Sequence, residues 1–121
     1  MDHGEAWAAF VERFDSGRYV EGVLALEEIW FAERDDFHKG LIRICVALNQ
    51  LRLGLLTSPR FLLTSARALL APFAPSHRGV DLAALLTFIE QCLALIPADA
   101  ETGSGMRVDP ETLPQFRFGG G

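Results

Sequence analysis

The sequence predicts an all-α protein, a single antiparallel bundle of four to five helices followed by an extended C-terminal tail. Apolar residues recur at helical spacing over residues 4–96, and no alternation of apolar and polar residues is long enough for a sheet. The chain has 121 residues, half of them hydrophobic, which suffices for one core and not for two. We therefore predict a helical domain at 1–97 and a flexible or extended tail at 98–121.

The first two helices are predicted over residues 4–14 and 18–31. Residues 15–17, Asp-Ser-Gly, separate them, because glycine tolerates positive φ and the side chains of Asp and Ser bond turn amides. Apolar residues spaced by three or four positions form the inward stripes: Trp7, Val11 and Phe14 in the first helix, and Tyr19, Val23, Leu26 and Trp30, widened by Val20 and Leu24, in the second.

The third helix is predicted over residues 36–55, with Asp36 as its N-cap. It is apolar nearly all round, which is typical of a central, buried helix. Its apolar residues are Leu41, Ile42, Ile44, Cys45, Val46, Leu48, Leu51 and Leu55.

Proline and capping residues set the bounds of the last two helices, 59–71 and 82–96. Ser58 precedes Pro59 at the start of one, and Asp81 caps the other. A proline follows each helix.

The tail contains a linker-like stretch, Glu-Thr-Gly-Ser-Gly at 101–105, and then spaced apolar residues. These apolar residues are Met106, Val108, Leu113, Phe116 and Phe118. We predict that the tail lies extended across its own domain; the alternative is that it docks on a neighbouring subunit.

Charge is divided into three blocks along the chain. Residues 1–36 carry ten acids and three bases, residues 37–80 carry six bases and no acid, and residues 81–121 carry six acids and two bases. We expect acidic early helices to pack beside basic middle ones. The alternative is a basic face for an anionic partner, but the overall net charge of −5 repels nucleic acid at long range.

Several classes of protein are disfavoured by the sequence. No apolar run approaches the roughly 20 residues needed to cross a bilayer, and the polar, acidic start does not suit a secretory signal. We expect a cytoplasmic protein without a membrane partner, with Cys45 and Cys92 as buried, reduced thiols. His3, His38 and His77 lack partners at ligand spacing, so we expect solvated histidines and no metal or cofactor.

A set of spaced residues resembles the domain-of-unknown-function 309 family. The matching residues are Phe14-x-x-Gly17-x-Tyr19-x-Glu21, Leu26-Glu27-x-x-Trp30, Phe37-x-x-Gly40-Leu41-Ile42, Ala47-Leu48-x-x-Leu51-x-x-Gly54 and Gly79-Val80-Asp81. The resemblance covers about residues 10–96. It implies a small all-helical protein of a bacterial or archaeal family with tetratricopeptide-like hairpins and no established activity.

The chain departs from the family pattern at one point. The family places a His-Glu pair inside the second helix, where this chain has Val23 and Leu24. Imidazole and carboxylate can bind a metal or transfer a proton, whereas valine and leucine side chains can do neither. The departure argues against a metal-dependent activity here.

Five polar or aromatic residues remain at the other positions that the resemblance marks: Glu27, Trp30, Lys39, Arg43 and Gln50. They form the candidate pocket or ion-pair site. We predict that Glu27 forms an ion pair with Arg43 or Lys39 across the interface of the second and third helices.

The function predicted from these observations is a non-catalytic helical module that binds another protein or a second copy of itself. One alternative is a hydrolase-like or metal-dependent enzyme with a site between the second and third helices, built on Glu21, Glu27, Trp30 and Arg43. Another is anion or nucleic-acid binding by the basic segment 39–78. Its candidate anion-binding residues are Arg52, Arg60 and Arg67.

Overall fold

The computed structural model describes residues 3–53, 59–96 and 113–119. Over these residues the chain forms five α-helices: α1 (His3–Asp15), α2 (Tyr19–Glu33), α3 (Asp36–Arg52), α4 (Pro59–Leu70) and α5 (Leu82–Leu95). A 3₁₀ turn (Ala71–Phe73) and an antiparallel pair of two-residue strands, β1 (Ser76–His77) and β2 (Val80–Asp81), join α4 to α5. The predicted all-α class is confirmed, and the small hairpin is an element that the sequence did not predict.

Helix α3 is the central element of the bundle, as its apolar composition predicts. Consecutive helices pack on one another, so that α3 contacts both α2 and α4, while α1 packs on α2 and α5 on α4. Its buried residues are Phe37, His38, Gly40, Leu41, Ile44, Cys45, Ala47, Leu48 and Leu51. At Gly40 an added Cβ would lie 2.8 Å from Cγ of Leu70, so α3 and α4 approach more closely there than an alanine allows.

The turns follow the local chemistry of the sequence with one correction. Gly17 adopts φ +78° between α1 and α2, a conformation that glycine adopts without strain. The N-cap of α3 is Asp35 rather than the predicted Asp36, because the Asp35 carboxylate accepts the backbone N–H of His38 at 3.1 Å. Asp81 caps α5 as predicted.

Residues 113–119 lie across the chain's own helices. The Phe118 ring packs among α1 aromatic rings, and the Phe116 ring lies 5.7 Å from that of Phe88 on α5. This segment therefore packs on the chain's own helices. The remaining tail predictions, including the linker at 101–105, fall outside the described residues.

Ion pairs join the middle block of the chain to both acidic blocks. Arg78 binds Glu33 at 2.8 Å, and Arg67 binds Glu90. The expected internal charge complementarity is present at these two contacts. Within the described ranges, no helix is both long and apolar enough to cross a membrane.

Candidate functional site

An exposed apolar stripe runs along α2, and we call it the α2 face. It consists of Val20, Leu24 and Phe31, whose exposed fractions are 56%, 59% and 55%. Positions four and seven residues apart lie on the same side of a helix, so the three side chains share one side of α2, with the exposed Glu28 between Leu24 and Phe31. The sequence assigned Val20 and Leu24 to the edge of the inward stripe, whereas the structure leaves both on the surface.

A pocket of about 230 Å³ between α2 and α3 borders the α2 face. Its lining residues are Val23, Glu27, Trp30, Lys39, Ile42 and Arg43. The structure thus brings together four of the five residues of the predicted pocket. Gln50, the fifth, does not line this pocket, and its buried Oε1 accepts no hydrogen bond from the residues that the structure describes.

The direct ion pair predicted for Glu27 is not formed. Among the residues that the structure describes, neither Lys39 nor Arg43 forms an ion pair with its carboxylate. Arg43 instead donates from Nη1 to Oγ of Ser65 on α4 at 2.7 Å, and its guanidinium lies 5.9 Å from the centroid of the Phe61 ring. The pocket therefore has on its α2 side a carboxylate that is unpaired within the described ranges, and two cations on its α3 side.

Trp30 is half-buried at the end of α2 and lines the pocket rather than the core. The guanidinium of Arg34 lies 4.4 Å from its ring centroid and 5.2 Å from that of Phe31. This stacking holds the two aromatic rings beside each other at the end of the α2 face.

The three arginines of the predicted anion-binding stripe contact separate parts of the fold. Arg52 donates to the carbonyl of Gly17, in the turn between α1 and α2. Arg60 donates to the carbonyl of Ile96 at 2.5 Å, at the end of α5, whereas Arg67 binds Glu90. Their guanidinium groups hold neighbouring elements together and do not converge on one position.

A buried His-Asp pair was missed by the sequence reasoning, which placed His38 on the solvated surface. Its side chain is 1% exposed, and Nδ1 lies 2.7 Å and 2.8 Å from the two carboxylate oxygens of Asp35. Burial alone would raise the pKa of Asp35, but hydrogen bonds from the His38 ring and backbone N–H lower it below its ordinary value. The available signal was the three-residue spacing, which joins an N-cap to the first turn of its helix.

His38 faces a cavity of about 140 Å³ that Trp7, Ile29, His3 and Arg78 also line. Two of these lining residues contact the carboxylate of Glu33: Arg78 at 2.8 Å and His3 at 3.3 Å. Its pKa is lowered, chiefly by the hydrogen bond from Arg78.

The Asp35 carboxylate accepts a hydrogen bond from Nδ1 of His38, and this pairing orients the buried ring at the wall of the cavity. In the described part of the chain, no group of three or more His, Cys, Asp or Glu side chains is arranged to hold a metal ion.

Comparison of the chain with protein-family models, with curated proteins and with solved structures gave no match in any of the three. The resemblance to the domain-of-unknown-function 309 family stays a prediction from the spaced residues.

Proposed function

We propose that this protein is a self-association module, in which two copies pack their α2 faces together and each inserts an apolar side chain into the other's α2–α3 pocket. The observation that carries the proposal is the exposure of more than half of Val20, Leu24 and Phe31 on one side of a single helix. Apolar strips of this kind beside a pocket are typical of protein-binding surfaces.

The size and lining of the pocket favour a side chain over a small-molecule ligand. Its volume of about 230 Å³ is below the roughly 300–1,000 Å³ of most small-molecule sites. Aliphatic and aromatic groups from Val23, Trp30 and Ile42 form much of its wall. A leucine or phenylalanine side chain is an occupant of suitable size and chemistry.

The charges at the pocket favour a second copy as the occupant. A two-fold interface places the same surface on both sides, so it is self-complementary only if it carries both signs of charge. Glu27 forms no ion pair within the described part of its own chain, while Lys39 and Arg43 lie across the same pocket. In the dimer, Glu27 of each copy faces these cations of the other.

Catalysis has weaker support from the same structure. Among its described lining residues, the α2–α3 pocket offers a single carboxylate and no histidine. The cavity at His38 is smaller, and Arg78 and His3 at its mouth are already bound to Glu33. The family resemblance implies no established activity that would favour an enzyme.

Replacement of Leu24 by glutamate is expected to weaken the dimer by about tenfold or more, because a charge would be buried at the centre of the interface. Leu95→Glu is the matched control, since Leu95 is an exposed leucine on α5, outside the α2 face. The dissociation constants of the three proteins are measured by size-exclusion chromatography over a dilution series. Wild-type protein that elutes as a monomer at every concentration, or equal weakening by both variants, would refute the proposal.

A further inference from the structure

We propose that the groove between α1 and α5 is a binding site for a Phe-X-Phe-Gly peptide segment, and that it accepts this segment from the tail of a second copy as well as from its own. Within one chain the segment is Phe116-Arg117-Phe118-Gly119. The contacts of these four residues have the properties of peptide recognition, in which side-chain pockets give specificity and main-chain hydrogen bonds give affinity.

Phe118 fills an aromatic pocket on α1. Its ring centroid lies 4.8 Å from that of Phe14, 4.9 Å from that of Phe10 and 6.1 Å from that of Trp7. The two closest contacts are edge-on, the preferred geometry for aromatic pairs at such distances. The pocket is therefore shaped for an aromatic ring.

Phe116 supplies the second anchor of the segment. Its ring lies 5.7 Å from that of Phe88 on α5 and 5.0 Å from that of Phe118. Alternate residues of the segment thus contact the two walls of the groove, while Arg117 between them is exposed.

The carboxylate of Asp15 binds the main chain of the segment. One oxygen of its carboxylate accepts the backbone N–H of Phe118 at 2.9 Å, and the other accepts that of Gly119 at 3.0 Å. Hydrogen bonds to an ionised carboxylate are stronger than those between neutral groups. Any segment with the same backbone course can form both bonds.

Little space is available for a side chain at Gly119. A Cβ atom at this position would lie 2.9 Å from Cγ1 of Val11 and 3.2 Å from Oδ2 of Asp15. A side chain here would therefore require Val11, Asp15 or the segment itself to shift. The groove favours glycine directly after the second phenylalanine.

The segment lies in an open groove rather than inside a closed core. Clefts of about 310 Å³ and 390 Å³ flank it, the first lined in part by Tyr19 and Arg52 and the second by Val80 and Ala84. Residues 113–119 form no helix or strand, so their release breaks no regular structure. A segment held by the side chains of Leu113, Phe116 and Phe118 and by two main-chain bonds can leave and be replaced by an identical one.

Tethering favours the chain's own tail, because an attached segment has a high effective concentration. Exchange with a second copy is therefore favoured when protein concentration rises. The contact uses no residue of the α2 face and does not depend on the dimer proposed above.

The first experiment tests the groove with a synthetic peptide of residues 113–119, carrying a fluorophore at its N-terminus. The acceptor is the full chain with Phe116→Ala and Phe118→Ala, which frees the groove, and circular dichroism confirms that it is folded. We expect saturable binding by fluorescence anisotropy at peptide concentrations up to about 1 mM. Peptides with Phe118→Ala or Gly119→Ala should bind about tenfold more weakly or worse. No binding, or equal binding of all three peptides, would overturn the proposal.

The second experiment identifies the tail of another copy as the source. One full-length variant carries Asp15→Ala and keeps its tail, and the other carries Phe118→Ala and keeps its groove. Both also carry Leu24→Glu, so that an α2-face dimer cannot contribute. Each alone should sediment as a monomer, whereas their mixture should form a dimer. A mixture that remains monomeric would overturn the exchange, and if Asp15→Ala does not fold, Asp15→Asn replaces it.

Discussion

Replacement of Phe10 by alanine is expected to lower the free energy of unfolding by about 3–5 kcal/mol, the usual cost of removing a fully buried phenylalanine side chain. Phe10 is 0% exposed. Its ring centroid lies 5.1 Å from that of Trp7. The ring also packs against α2 at Gly22, where its Cδ1 lies 3.5 Å from the position that an added Cβ would take. Alanine would therefore leave a cavity between α1 and α2. Urea denaturation followed by circular dichroism measures the loss.

Phe61→Ala is the matched control for this substitution. Its side chain is 67% exposed on α4, so its truncation is expected to cost less than about 1 kcal/mol. Equal losses from the two substitutions would show that α1 does not pack on the bundle as the structure describes.

Replacement of Asp35 by alanine is expected to cost about 1.5–5 kcal/mol, because two interactions are lost together. The N-cap bond of α3 contributes about 0.5–2 kcal/mol. The buried ring of His38 would also lose its hydrogen-bond partner, which costs about 1–3 kcal/mol. Asp36→Ala serves as the control, because the side chain of this exposed residue, adjacent in sequence, is not the cap. Thermal and urea denaturation of both variants measure the loss of stability. Equal losses would contradict the pairing of Asp35 with His38.

The same pair sets an expected pH dependence. The pKa of Asp35 is lower in the folded chain than its ordinary value of 3.8, so the folded state binds fewer protons than the unfolded state. The stability from this group is therefore complete above about pH 5 and is lost as the pH falls through the folded-state pKa. Asp35→Asn should show a shallower loss of stability in this acid range. If the stability of this variant falls with pH as steeply as that of the wild type, Asp35 is not the source of the pH dependence.

Helical periodicity was sufficient to predict most of the fold. The all-round apolar character of α3 correctly predicted its central position, and the glycine at position 17 correctly predicted the turn after α1. The segment 76–81 could not be predicted, because each of its strands has only two residues and its turn uses positive φ at Arg78 and Gly79. Asp35 and Asp36 are chemically identical candidates for the cap, and the backbone conformation at Asp35 decides between them.

The candidate site was only partly predictable for reasons of tertiary structure. The family resemblance predicted that Glu27 and Arg43 belong to one site, and the structure places both at one pocket. Among the described residues Glu27 forms no ion pair, and Arg43 binds Ser65 instead, which lies 22 positions along the chain on another helix. The burial of His38 depends likewise on Trp7 of α1, whose ring centroid lies 6.2 Å from its own.

The native cysteines make the proposed interface accessible to a specific chemical test. Cys45 and Cys92 are both 0% exposed. Burial raises the pKa of the Cys92 thiol to about 12 and raises that of Cys45 as well. Neither thiol is therefore reactive near neutral pH, and a single cysteine introduced on the surface would be the reactive one.

Oxidative cross-linking of Leu24→Cys tests the α2-face dimer most directly. Leu24 lies between Val20 and Phe31, so in a two-fold packing of α2 on α2 the two introduced thiols would lie near the symmetry axis. We expect a covalent dimer of about twice 13.3 kDa on a non-reducing gel, and little dimer from the control Leu95→Cys on α5. The absence of covalent dimer from Leu24→Cys, or an equal yield from both variants, would contradict the account.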